Sequence, residues 1–346
     1  MSAASSPDLQ VAAPPPAAFG RRLMDKAKLE TWAAYTYARH GVPSAAIHFG
    51  TALGDDLLST AVARELKLRG EKRLWMMTRH PEIFRGNSDV DAVVPHDDRH
   101  RMLVGRAKAR FSWLRYCWHD AAADRDLVAE GHIIAAMCSS AGIKGPVTLR
   151  PYLALTAAEL QAGRIAERQI AIQVTGRSAV YPMQNKEWFP ERFQLVVDGL
   201  KDRFTILQLG SKSDPLLHGT TDLRGQTTLR QSAAILHGSR FFVGLVGFLM
   251  HLARAVDCRA AIIYGGRESP RQSGYPCNEN VHRPLPCSPC WLWSTCAYDR
   301  ECMRSISADE VLEATGRLEA RLGGELETEI GTAAPLPARW TNPTSG

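Results

Sequence analysis

No uninterrupted apolar stretch of this sequence approaches the length of a membrane span, and residues Met1 to Gly20 lack the charged start and apolar run of a signal peptide. These absences argue against a spanning helix and against export, so the expectation is a cytoplasmic protein. Long Lys/Arg runs are also missing. The net charge of +6 is spread along the chain, which suggests affinity for anionic small molecules or membrane surfaces and no nucleic-acid partner. No sequence repeat relates the two halves of the chain, so any similarity between them is one of architecture only. Cysteine is present, eight in all, but a reducing compartment does not favour a disulfide framework. Cys117, Cys138 and Cys258 sit among apolar neighbours and read as small buried hydrophobes, whereas five cysteines crowd between Cys277 and Cys302, which is metal-site usage.

A chain of 346 residues exceeds what one core organises, and 45% hydrophobic residues suffice to fill two. The Ser/Ala/Pro start (1–20) and the end (331–346) cannot bury enough apolar surface and are expected to be loose. From Ala45 to Phe49 a short apolar strand leads through Gly50 to Gly54 into a helix with Leu57, Leu58, Ala61, Val62 and Leu66 on one face. Strands at Arg73–Met77 and Val90–Val94 follow, and Val128–Ala141 reads as a helix closing an amino-terminal domain, 21–168. Gly142–Ala154 reads as non-helical connection, and the charged Thr156–Arg168 as a hinge. A second alternation begins with a strand at Gln169–Val174. It continues through strands at Phe204–Leu209, Phe241–Gly244 and Ala260–Tyr264, with helices at Phe193–Leu200, Leu229–Leu236 and Leu249–Val256. The expected fold class is therefore α/β, with two facing Rossmann-like doubly wound domains, the second spanning 169–330 and including a small cysteine-rich finger, 277–303.

Facing domains place strand carboxyl ends across a cleft, the usual ligand site of open sheets. Three polar loops fall there: Gly50–Asp56, Thr175–Lys186 and Gly265–Glu268. Asp55 reads either as a first-turn acid favoured by the helix dipole or as a general base for an acceptor hydroxyl. Asp56, one residue on, rotates about the helix axis and is assigned with Gly54 to the acceptor side. Cys287-x-x-Cys290 followed by Cys296 and Cys302 offers four thiolates in one short segment, the pattern of a closed, structural tetrahedral site for zinc or iron, with four reduced thiols as the alternative. His96-Asp97-Asp98-Arg99-His100 reads as a solvated loop. Trp113, Tyr116, Trp118 and His119 fit either an acceptor wall or an amphipathic core helix.

Five blocks in order carry a resemblance: Gly54-Asp55-Asp56-Leu57-Leu58-Ser59-Thr60-Ala61-Val62, Asn87 to Val94, Lys186-Glu187-Trp188-Phe189-Pro190-Glu191-Arg192-Phe193, Met250-His251-Leu252-Ala253-Arg254-Ala255, and Cys287 to Met303. Together they resemble the family 9 glycosyltransferases, the heptosyltransferase-like enzymes of lipopolysaccharide biosynthesis, over roughly Ser44 to Val311. The resemblance implies a GT-B fold and an inverting, metal-independent transfer from a nucleotide diphosphate sugar, typically ADP-heptose, to a hydroxyl of a cell-envelope glycan. It implies Asp55 as the base. It further implies that Lys186 neutralises the leaving diphosphate, with Thr175, Gly176, Gly247 and His251 as donor contacts. Relatives that glycosylate autotransporters carry iron in the cysteine segment. Where the family has Asp-Ser/Thr-Gly, this chain has Val246-Gly247-Phe248. That departure leaves open another nucleotide-sugar donor, or a non-catalytic relative that binds a sugar nucleotide or a partner. Glycans, lipids and proteins are all admissible acceptors, and peripheral association with the inner membrane is compatible with the charge. A nucleic-acid-binding zinc module is the remaining alternative.

Overall fold

The computed structural model describes residues 17–50 and 52–336. The chain divides into two compact units, 1–42 and 43–346. The first carries helix α1 (Ala17–His40), which ends at Gly41, whose φ of 72° and amide bond to the Tyr37 carbonyl (2.7 Å) form a left-handed stop. A loose segment expected as far as residue 20 thus gives way to helix from Ala17, while residues 1–16 and 337–346 lie outside the described residues.

The second unit contains two parallel sheets. In its amino-terminal half β1 (Ala45–His48), α2 (Leu53–Leu68), β2 (Leu74–Met77), β3 (Ala92–Val94), α3 (Asp98–Arg106) and β4 (Arg110–Trp113) build a sheet of order β3-β2-β1-β4. Every residue of β1 and β2 is buried, as expected of parallel strands covered on both faces. An antiparallel hairpin of β5 (Cys117–Asp120) and β6 (Arg125–Val128) follows, then α4 (Ile133–Ser140) and β7 (Gly145–Thr148). Helix α5 (Ala157–Ala162) lies in the expected hinge and starts at a capping box formed by Thr156 and Glu159.

The carboxyl-terminal half comprises β8 (Gln169–Ile172), α6 (Pro190–Leu200), β9 (Thr205–Gln208), β10 (Thr221–Asp222), α7 (Leu229–Gly238), β11 (Phe242–Leu245), α8 (Phe248–Ala255), β12 (Ala260–Gly265), α9 (Pro270–Ser273), β13 (Glu279–His282), α10 (Glu301–Arg304) and α11 (Ala308–Ala320). Its six parallel strands run β10-β9-β8-β11-β12-β13. One apolar cluster joins α2 and α4 to α7, α8 and the near face of this sheet, so the two halves share a core; a second fills the far face beneath α6 and α11.

Several local expectations change. Val128–Ala141 is not one helix: Val128 ends β6, Gly131 takes a φ of 84°, and α4 starts only after the His132 N-cap. Gly142–Ala154 contains β7, and residues 331–333 are not loose, because β14 (Ile330–Ala333) pairs antiparallel with β7 and buries Ala333. Helix α3 begins inside the expected His96–His100 loop, with Asp97 accepting the His100 amide at 2.8 Å. Trp113, Trp118 and His119 lie on strands, which removes the core-helix reading.

Candidate active site

Both sheets reverse their winding once, between β1 and β4 and between β8 and β11. The carboxyl ends of those strands are where open α/β sheets bind ligands. Asp55 follows β1, Tyr116 follows β4, Thr175 follows β8 and Gly247 follows β11. A Cβ on Gly54 would come 3.8 Å from the Cα of Phe248, so the loops of the two halves meet at van der Waals distance.

Asp55 and Asp56 occupy the first turn of α2, which has no side-chain cap. The Asp55 residue is half-buried and its carboxylate accepts a hydrogen bond from the Tyr116 hydroxyl. Burial, reinforced by Asp56, raises its pKa to about 7; Lys186 and the Tyr116 bond oppose the rise. A carboxylate so tuned sits where a general base is most effective at neutral pH. Asp56 is fully buried, points to the Thr78 hydroxyl, which donates to it, and is itself raised to about 6 by burial. That bond ties the first turn of α2 to the residue after β2.

Lys186 closes the carboxyl-terminal side. Its ammonium pairs with Glu268 at 2.5 Å. Glu268 also takes the Ser273 hydroxyl (2.7 Å) and the Arg267 guanidinium (2.7 Å). Burial pushes the Glu268 pKa up, but Lys186 and Arg267 outweigh it and hold the carboxylate at about 2. Arg267, 1% exposed, pairs in turn with Asp126 of β6 at 2.5 Å.

Other expected donor contacts are differently placed. The Thr175 hydroxyl and the Gly176 amide (2.8 Å) both donate to Glu187, and the Arg177 amide donates to the Thr175 oxygen (3.1 Å), so this turn spends its donors internally. His251 is buried in α8, hydrogen-bonded through Nδ1 to the Tyr275 hydroxyl at 2.7 Å, and burial lowers its pKa to about 3. Gly247 precedes α8 in extended backbone and leaves the first amides of that helix without a side-chain cap.

The cysteines do not assemble as expected. Cys287 is exposed and Cys290, Cys296 and Cys302 are half-buried, all as free thiols. They lie near enough for Cys290 and Cys302 to feel their neighbours' charge, and burial pushes both thiols up. Among the described residues no three His, Cys, Asp or Glu side chains converge as metal ligands. This donor set, as arranged, does not fit a four-thiolate ion. The segment is instead tied to the hairpin: the Asp126 amide donates to the Trp291 carbonyl (3.0 Å), the Trp293 amide to the Asp124 carbonyl (2.9 Å), and the Ser294 and Thr295 amides to the Asp124 carboxylate (2.9 and 2.8 Å). Trp293 packs on His119 with ring centroids 4.0 Å apart. Residue-by-residue reading missed the hairpin, Asp126 and Glu187. The first had a signal in the two alternating runs around Ala121–Asp124, a turn disguised by its alanines.

No protein-family model and no curated protein matches the sequence. Solved structures do match. The iron-containing dodecameric glycosyltransferase TibC of enterotoxigenic E. coli is 18% identical with a TM-score of 0.64, covering 80% of this chain and 77% of its own. The ADP-heptose LPS heptosyltransferase II of E. coli is 15% identical (TM-score 0.59; 80% and 99% covered), and a family 9 glycosyltransferase of Veillonella parvula is 13% identical (0.56; 81% and 98%). This chain has their fold. The two-sheet architecture is thus the GT-B arrangement of those transferases, with Asp55 in one half close enough to Lys186 of the other to feel its charge. No helix among the described residues is long and apolar enough to cross a membrane.

Proposed function

We propose that this protein is an inverting glycosyltransferase of the family 9 type. Its carboxyl-terminal domain (169–330) holds a nucleotide diphosphate sugar and its amino-terminal domain (21–168) presents an acceptor hydroxyl of a cell-envelope glycan. The observation that carries the reading is Asp55: a half-buried carboxylate at the switch point of one sheet, bonded by Tyr116 and facing a lysine from the other half. As the acceptor oxygen attacks the anomeric carbon, Asp55 takes its proton and the bond to the diphosphate breaks with its electron pair leaving on the phosphate. Lys186 and the uncapped amides that open α8 after Gly247 supply positive potential to that leaving group. Structures of TibC are known with ADP-D-β-D-heptose, which makes an ADP-heptose the first donor to offer. The test is mass-spectrometric turnover of ADP-, UDP-, GDP- and dTDP-sugars with cell-envelope extract as acceptor. Consumption of one donor by wild type and not by Asp55→Asn supports the proposal; binding of a donor with no transfer by wild type overturns it in favour of a non-catalytic sugar-nucleotide-binding protein.

A further inference from the structure

Four charged side chains link the two halves in a line: Asp126 of the hairpin, Arg267 and Glu268 of the loop after β12, and Lys186, with gaps of 2.5, 2.7 and 2.5 Å. Three of the four are almost wholly enclosed, with side-chain exposures of 5% for Asp126, 1% for Arg267 and 5% for Glu268. Arg267 spends its remaining donor on the Leu292 carbonyl (3.1 Å) and lies over the Trp291 ring at 4.8 Å, so its fork is fixed on three sides. Both ends of the line act on Asp55: Lys186 stabilises its charge and Asp126 opposes it.

We propose that Arg267 and Glu268 are positioning residues for the transfer: Arg267 senses the docked hairpin through Asp126, and Glu268 uses that anchorage to hold the Lys186 ammonium facing Asp55 across the cleft. A buried ion pair is a poor device for stability alone, because desolvation consumes most of its attraction. A chain of such pairs running from one half, through the other and back to the candidate base serves geometry instead. Its consequence is that the base is completed only when the β5–β6 hairpin is seated against residues 291–295.

This inference rests on Asp55 as the base, and its test is chosen to be read without turnover. The carboxyl carbon of Asp55, assigned by its loss in Asp55→Asn, is titrated by NMR in the full chain. The groups facing it are Asp56 on its own helix, Tyr116 after β4, Lys186 and Asp126; Asp55 in turn acts on Cys117. The decisive variant is Asp126→Asn with Arg267→Met, which removes both buried charges together and leaves neither orphaned. Loss of Asp126 by itself lowers the Asp55 pKa, whereas displacement of Lys186 raises it. The proposal expects the Asp55 titration to move up, by less than in Lys186→Met because loss of Asp126 pulls the other way, and no further shift when Lys186→Met is added. An unmoved or lowered titration overturns it. Arg267→Lys, which keeps the cation but cannot span Asp126, Glu268 and the Leu292 carbonyl, guards against a misfolded double variant and is expected to shift the titration in the same direction; an unchanged titration there counts equally against the proposal. Failure of sugar transfer by wild type, with these shifts present, would reject the function and leave the positioning relationship standing.

Discussion

Arg267 and Asp126 form an ion pair at 2.5 Å between the two halves of the molecule, and both side chains are enclosed. The pair sits where the hairpin meets residues 291–295, so the cysteine-bearing segment is fastened by backbone and ionic contacts from the amino-terminal half. The two halves are thus fastened at this point and at the hinge.

Asp55 couples function to stability with a definite sign. Its folded-state pKa of about 7 lies above its unfolded value, so folding favours the protonated acid. The native state therefore loses stability as pH rises from the unfolded pKa through 7. Asp55→Asn removes that dependence. Its thermal midpoint is expected to equal that of wild type near pH 3, below both pKa values, and to exceed it at pH 8, with activity lower by about a hundredfold or more. Scanning calorimetry at the two pH values checks it; a variant less stable than wild type at pH 8 refutes it.

Lys186 lowers the Asp55 pKa, so Lys186→Met should move the acid limb of kcat/KM to higher pH. In the proposed transfer the same ammonium faces the leaving diphosphate, so KM for the donor should rise as well. A pH profile at subsaturating donor measures both. A limb that stays in place with only KM altered restricts Lys186 to donor binding.

Asp124 adopts a left-handed φ of 49° at the hairpin turn and its carboxylate takes two amides of the partner segment. Asp124→Ala leaves those amides without their acceptor and strains the turn. Hydrogen exchange at Ser294 and Thr295 is expected to accelerate about fivefold or more, the effect of about 1 kcal/mol, while the amides of β8 keep their protection.

The sequence displayed much of this architecture because parallel strands buried on both faces leave short apolar runs, as at Ala45–Ile47 and Ala260–Tyr264. Asp55 and Lys186 drew notice for a different reason: each closes a strand-end loop placed by the βα alternation, and the resemblance to the family 9 blocks supplied the role expected of each. The partners that tune them were not. Asp126 lies 71 residues from Asp55 in sequence and reaches it through a hairpin whose strands are half exposed and whose turn lacks Gly, Asn or Pro at its start. Glu187 illustrates another limit. Its carboxylate consumes the Thr175 and Gly176 donors, a fact set by side-chain rotamers, which spacing does not encode. The cysteine spacing suggested a ligand set, yet convergence depends on how the chain between Cys290 and Cys302 turns, and here it turns to meet the hairpin.

Arg230 is the fastening at the hinge. From α7 its guanidinium donates to both oxygens of Glu159 (2.6 and 2.7 Å), to the Ala154 carbonyl (2.6 Å) and to the Glu82 carbonyl (3.0 Å), so one side chain ties the hinge helix and the amino-terminal half to the carboxyl-terminal sheet. The Arg230 bonds hold the Glu159 pKa down at about 2. A depressed carboxylate contributes stability that is present above its unfolded pKa and lost as pH falls through the folded value. Arg230→Met is therefore expected to cost about 1–2 kcal/mol near neutral pH, the partial exposure of Glu159 limiting the loss, and less as pH drops from 4 towards 2. Urea midpoints at pH 7 and pH 3 measure this. Because the same variant frees the hinge, the donor KM should also rise while the Asp55 titration stays put, which separates the hinge fastening from the Arg267 line.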